Sequence, residues 1–479
     1  MPRFDTAIAQ TALYGFSIVI MKGISILMLP FIAHQLEPEA FGKLEVLSSF
    51  AVIGSILVGL GLDDTLYRFA GEARDVSERK RIAARVFGLG LLAGGVALGL
   101  LWFLAAELTR WLPGDIQIYE LRLVLVVLAL EGAIAIPMGW LRMQNRAIAF
   151  FVLSIARAAT QATLILLMLQ PGNDITPVLE AGCIAASIQA LVLAGMQLRD
   201  TGIRLGGPIG SGLIRYSLPI VGSGLIAFLL NGLDRWIIAG HAGLAEVALY
   251  GVAAKFALAA VLLLQPFGMW WSPKRFEVIA GPDGDARATA TICLGISLCL
   301  IICVAVATGA PVLIGWLMPG DYYHSAAFAL GLVIAMSLRE ISELVNIGCY
   351  LSRSTIAQFW INLASSLTGL LCMLVLVDDH GAWGVILALI LAQSMRLLML
   401  FRASQARHRL DYPLRSLGLL AAQALAWMAF SMHIEEPLQQ LLLALVASLA
   451  MAASAFLLQL LPLASTNKPV AARPGISQC

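Results

Sequence analysis

The sequence predicts an all-α polytopic membrane protein. It has about fourteen transmembrane helices, in two six-helix lobes related by a pseudo-two-fold axis plus two extra C-terminal helices. Three observations predict this. Of the 479 residues, 60% are hydrophobic and 13% charged, whereas a soluble chain carries about 25% charged residues. The apolar residues fall into runs of the length that crosses a bilayer, about 20 residues. One pattern of residues also occurs twice, about 200 positions apart.

The repeat is clearest in residues 14–72 and 216–277. Both stretches open on a Tyr (Tyr14, Tyr216) and carry a His at the hinge between two apolar runs (His34, His241). A Glu and a Gly follow (Glu39 and Gly42; Glu246 and Gly251), and both stretches close on Arg-Phe (Arg68-Phe69; Arg275-Phe276). Each places a Lys inside a span, Lys22 and Lys255. The order of these residues, more than their spacing, points to two related halves.

Taken in order, the spans are 9–33, 43–62, 83–106, 121–141, 147–169, 178–198, 214–239, 246–271, 288–310, 325–351, 356–377, 383–402, 414–432 and 438–462. Gly, Pro or charge marks nearly every boundary. The Gly-rich linker at 199–215 divides residues 1–200, the N-terminal lobe, from residues 201–410, the C-terminal lobe. Residues 411–479 hold the last two helices and a tail. With the N-terminus placed in the cytoplasm, 22 of the 31 Lys and Arg fall in inner segments, among them Arg3, Arg353, Lys468 and Arg473. Three fall in outer segments (Lys43, Arg110, Arg122) and six inside spans. That bias orients the stack with both termini cytoplasmic. The first run has no small-residue cleavage site and reads as an uncleaved span.

The seven Cys are scattered and lack zinc or redox spacing. The six His are dispersed, so no metal site is expected. Trp102, Trp111, Trp270, Trp271 and Trp316 lie near span ends as interfacial anchors. Pro30, Pro137, Pro219 and Pro266 lie in or at spans, where membrane helices tolerate them.

Chemistry is expected from charges inside the spans, since each costs about 2.5–3.5 kcal/mol at a helix centre on insertion scales. The cations are Lys22, Arg157, Arg235, Lys255, Arg339 and Arg396; the anions are Glu131, Asp234, Glu340 and Glu343. The excess of cations suits an anionic ligand. Helical spacing aligns Ser154, Arg157 and Gln161 on one face, Arg339, Glu343, Asn346 and Tyr350 on another, and Gln358, Asn362 and Ser365 on a third. Arg157 and Lys255, with no acid nearby in sequence, are the first candidates for substrate binding in a cationic cavity, and Lys22 and Arg339 follow. Arg339 with Glu343, four apart, also reads as a local ion pair, and Asp234 with Arg235 as a pair at the outer interface. Arg396 reads as snorkelling to the inner surface. Glu131 is either protonated, partnered across helices or a coupling site; Glu340 and Glu343 are further ion-coupling candidates.

The pattern Leu29-Pro30, Leu36, Glu39, Phe41-Gly42, followed by Gly59, Gly61 and Arg68-Phe69, carries a resemblance. Asp234-Arg235, Glu246, Tyr250-Gly251, Pro266, Trp271, Pro273, Phe276 and Glu277 extend it. The chain resembles the polysaccharide flippases, the Wzx-like O-antigen branch, of the multidrug/oligosaccharidyl-lipid/polysaccharide exporter superfamily. The resemblance covers spans one to twelve. It implies two six-helix lobes forming a V around a central cavity, and an undecaprenyl-diphosphate-linked oligosaccharide moved from the inner to the outer leaflet. It implies partners among lipids and the polysaccharide polymerase and export machinery, with no nucleic acid. No nucleotide-binding motif such as GxxxxGK[ST] occurs. Drive is therefore expected from H+ or Na+ coupling or the membrane potential, with no cofactor. A drug/cation antiporter and a lipid II flippase are the rival readings. A polymerase or acyltransferase would need a large outer loop or a clustered catalytic set, and neither is visible.

Overall fold

The computed structural model describes residues 7–172, 174–205, 211–351, 356–434 and 436–461. Arg3, Arg353, Lys468, Arg473 and the middle of the Gly-rich linker lie outside these. Everything described is helix or connection, the state in which a spanning backbone satisfies its own hydrogen bonds. The first helices are α1 (Ala7–Gln35), α2 (Pro38–Gly59), α3 (Leu62–Gly71), α4 (Val76–Trp111), α5 (Ile118–Ala129) and α6 (Glu131–Met143). They continue with α7 (Ala147–Met168), α8 (Thr176–Asp200), α9 (Ser211–Asn231), α10 (Leu233–His241), α11 (Leu244–Ala280) and α12 (Gly284–Leu317). The last are α13 (Ser325–Val345), α14 (Ile347–Leu351), α15 (Ile356–Arg407), α16 (Leu414–Ser431) and α17 (Pro437–Leu457). Among the described residues, 12 segments are long and apolar enough to cross a membrane.

One of those segments, α15, is two helices joined at Gly381, whose φ of 56° breaks the rod. The break is capped from another helix: the Glu246 carboxylate accepts a hydrogen bond from the Ala382 N–H at 2.7 Å. A β-carbon on Gly381 would stand 2.5 Å from that carboxylate, so the approach requires Gly. Other spans are interrupted once. Leu60 and Gly61, both left-handed, separate α2 from α3, and Leu130 separates α5 from α6. The helices outrun the sequence-predicted spans mainly at polar ends. α4 begins at Val76, ahead of residue 83, because Asp75 caps it by accepting from the Glu78 N–H at 2.7 Å. Pro30, Pro137, Pro219, Pro266 and Pro273 all sit inside continuous helices.

Helices α1–α8 pack among themselves, as do α9–α15, while α16 and α17 pack together against α12. The connection between α8 and α9 is tied to α4 by the Arg204 N–H bonding the Ala84 carbonyl at 3.1 Å. The two groups meet chiefly where α2 lies along α11, α10 and α9. At the end where α2 begins, here called distal, this seam is very close. A β-carbon on Gly42 would lie 1.9 Å from the Leu244 carbonyl oxygen. Ser49 donates to the Gly232 carbonyl at 2.5 Å and Trp236 to the Val46 carbonyl at 3.3 Å. At the proximal end, where α1 begins, the groups touch again. Thr65 and Ser217 share a hydrogen bond of 2.9 Å, and Arg68 lies 4.6 Å over the Tyr216 ring.

Candidate functional site

Between these two closures lies a cavity of about 540 Å³. Its polar walls come from α1 (Lys22, Ser25), α2 (Glu45, Ser48), α7 (Arg157, Gln161) and α11 (Lys255), and its apolar walls include Met28, Phe41 and Ile165. Three cations that the sequence placed in separate spans therefore share one space. Arg157 donates to the Gln189 carbonyl oxygen at 3.1 Å, and Gln189 in turn donates to the Leu153 carbonyl at 3.3 Å, which fixes the guanidinium toward the cavity. Lys22 and Arg157 form no ion pair with any described residue. Gln161, one turn from Arg157, lines the same wall, as the spacing of the polar stripe predicts.

Lys255 differs from the sequence expectation. It is not free of acids: it pairs with Glu45, 210 positions away on α2. Glu45 is absent from the intramembrane charges that the sequence indicates, because a second span starting at residue 43 leaves it at the edge. α2 in fact begins at Pro38, a turn and a half earlier, so Glu45 faces the seam. Its second oxygen accepts from Arg235 at 3.1 Å. Arg235 also contacts Asp234 at 3.1 Å, and the Tyr250 hydroxyl donates to Asp234 at 2.5 Å. Asp234 is only 3% exposed, so the Asp234–Arg235 pair is buried in the seam. Gly251 permits the contact: a β-carbon there would sit 2.6 Å from the Glu45 side chain. Both glycines of the sequence repeat are thus used for close packing at the seam, Gly251 against a carboxylate and Gly42 against the Leu244 carbonyl.

The remaining candidates lie elsewhere. Glu131 lines a second, smaller cavity of about 240 Å³ with Ser55, Asp63 and Asp64, beside the breaks after α2 and α5. Arg339 is outside the cationic cavity and contacts Glu340 at 3.7 Å. It does not pair with Glu343. That carboxylate pairs with Arg396, which also donates to Asn362 at 2.8 Å and to Ser342 at 2.5 Å. Arg396 is therefore neutralised across helices and does not snorkel. Tyr350 donates to Glu343 at 3.2 Å, and Arg275 stacks 3.8 Å over the Tyr350 ring. Lys43, read from the sequence as an outer-loop cation, is buried. It bonds Glu120 at 2.8 Å and Asp174 at 3.4 Å.

The fold has known counterparts. The profile of the polysaccharide biosynthesis protein family matches residues 8–274, more than half of the chain, and the protein belongs to that family. No curated protein sequence matches it. Among solved structures, the chain is similar to the lipid II flippase MurJ in an inward-closed conformation, with a TM-score of 0.72 at 11% identity. That match covers 92% of this chain and 98% of the other. It is also similar to a multidrug resistance MATE family transporter of the MOP superfamily in its inward-facing conformation, with a TM-score of 0.65 at 15% identity, covering 85% and 99%. An outward-facing MATE structure gives 0.55 at 13% identity, covering 86% and 96%. The protein is therefore a multi-pass membrane protein of the polysaccharide biosynthesis family with a flippase or transporter fold.

Proposed function

We propose that this protein is a flippase for an undecaprenyl-diphosphate-linked oligosaccharide, taking it from the inner to the outer leaflet of the cytoplasmic membrane during surface polysaccharide synthesis. The observation that carries this reading is the convergence of Lys22, Arg157 and Lys255 on one cavity. Such a substrate has a hydrocarbon tail that lipid holds unaided and a polar, anionic head that about 30 Å of hydrocarbon blocks. A flippase needs only to shelter the head and change the side to which the shelter opens. Lys and Arg supply charge-assisted hydrogen bonds to the phosphates, while Ser25, Ser48 and Gln161 offer partners to sugar hydroxyls. The family supports a role in polysaccharide biosynthesis, and the charge bias of the loops supports cytoplasmic termini. Polymerase and export proteins are the expected partners downstream.

Glu131 and the carboxylates beside it are the proposed H+ or Na+ coupling positions in this scheme. The same acidic cavity also favours a second reading, an organic-cation antiporter, and one assay separates the two. Protein reconstituted in liposomes is given undecaprenyl-diphosphate oligosaccharide, and headgroup accessibility is followed across the bilayer. The flippase reading expects transfer in wild type and its loss in Arg157→Ala. Uptake of lipophilic cations by well-folded protein that moves no lipid-linked sugar would transfer the case to the antiporter.

A further inference from the structure

Lys255 belongs to two structures at once. It lines the cationic cavity, and through Glu45 it is part of the tie that holds α2 against α10 and α11. We propose that the Glu45 carboxylate is a built-in stand-in for the ligand's phosphate on Lys255, and that an entering diphosphate displaces it and thereby unlocks the distal end. The inference rests on reading the cavity as a diphosphate site.

The argument is one of charge balance. The buried tie contains two carboxylates, Glu45 and Asp234, and two cations, Arg235 and Lys255. Paired with one another, the four are neutral. Only Glu45 and Lys255 of these four also line the cavity, so they are the members a ligand can reach. A phosphate that takes Lys255 leaves Arg235 alone between two carboxylates, and the buried remainder is net negative. A buried charge left short of partners is strongly unfavourable, and separation of α2 from α11 relieves it by admitting water to Glu45. The other distal contacts described above are uncharged: the close approach of Gly42 to the Leu244 carbonyl, the Ser49 and Trp236 hydrogen bonds, and the contact of Phe50 with Trp236, whose ring centroids are 6.4 Å apart. Those contacts hold the closed state without responding to an anion. Occupancy is in this way sensed by an ion pair whose loss acts on the closure and not on the cavity walls.

The tie also discriminates among ligands. An uncharged sugar, or a lipid without phosphate, does not compete with Glu45 for Lys255, so it fills the cavity without loosening the distal end.

The test reads opening directly and needs no transport. Ser48 lines the cavity and is exposed to it. In oriented vesicles, Ser48→Cys is labelled by a membrane-impermeant maleimide added from the distal side. The same protein with Ser48 intact gives the background of the native Cys. Labelling is expected to be slow in the otherwise wild-type protein and to rise about tenfold with millimolar inorganic diphosphate. Glu45→Gln should label at the fast rate without diphosphate and gain no more from it. Glu45→Asp, which keeps a carboxylate between Lys255 and Arg235, should label slowly and still respond to diphosphate, which distinguishes a lost tie from a damaged fold. Slow labelling in Glu45→Gln, or diphosphate that leaves the wild-type rate unchanged, overturns the proposal. Failure of the functional reading has a different signature: the labelling pattern appears as described while liposomes move no lipid-linked sugar.

Discussion

Two regions of the molecule treat intramembrane charge in opposite ways. In the α13–α15 region the two cations read from the sequence as intramembrane are matched: Arg396 by Glu343, with Asn362 and Ser342 completing its shell, and Arg339 by Glu340. In the cavity bounded by α1, α2, α7 and α11, Lys22 and Arg157 form no ion pair with any described residue, and Lys255 shares one carboxylate with Arg235. Both regions look alike as lists of intramembrane charges. What separates them is whether folding supplies the counter-ion or leaves it to a ligand. A matched cation stabilises packing, whereas an unmatched one is a cost that binding recovers.

That difference can be broken most severely at the unmatched cations. Arg157→Ala and Lys22→Ala should each lower transport of a lipid-linked diphosphate about 10- to 100-fold, the scale of one charged hydrogen-bond partner, with unchanged thermal unfolding in detergent. Glycine substitutions at the seam should come next. Gly42→Ala forces α2 away from the Leu244 carbonyl and should cost about 1–3 kcal/mol, as overpacking does. Gly23→Ala, which meets nothing within 4 Å, should be neutral or slightly stabilising, and the two melting curves compared give the check.

The matched region should respond in stability before activity. Arg396→Ala strands Glu343, whose side chain is 41% exposed. The full cost of a broken buried pair, about 3–5 kcal/mol, is therefore cut by solvent to about 1–2 kcal/mol. Removing the carboxylate as well, in Arg396→Ala with Glu343→Ala, should recover part of the loss; chemical denaturation of the purified variants measures both. The smallest effect is expected at Arg110, which pairs with Glu107 on an exposed helix face. Arg110→Ala should leave stability and transport unchanged within error.

Much of this was legible in the sequence. The spans, the doubled motif and the polar stripe of Arg157 and Gln161 follow from length and helical period, which are local properties. Glu45 escaped because its role depends on where α2 starts, and Pro38 extends that helix beyond its apolar run. The partners of Arg396 and Lys255 lie 53 and 210 positions away, and nothing in local spacing encodes such pairings. Glu246 was visible as a repeated residue, but its use as a cap for Ala382 needs the break at Gly381, a feature of the folded chain. Lys43 looked like a loop cation because both its carboxylates come from other helices and connections.

The most direct test of the central claim sets one cation of each kind side by side. Transfer of undecaprenyl-diphosphate oligosaccharide across liposomes is measured for wild type, Arg157→Ala and Arg339→Ala, at equal amounts of folded protein. The account predicts that Arg157→Ala loses transfer and Arg339→Ala keeps most of it. Transfer that survives in Arg157→Ala and is lost in Arg339→Ala would contradict it and move the anion site to the second half of the chain.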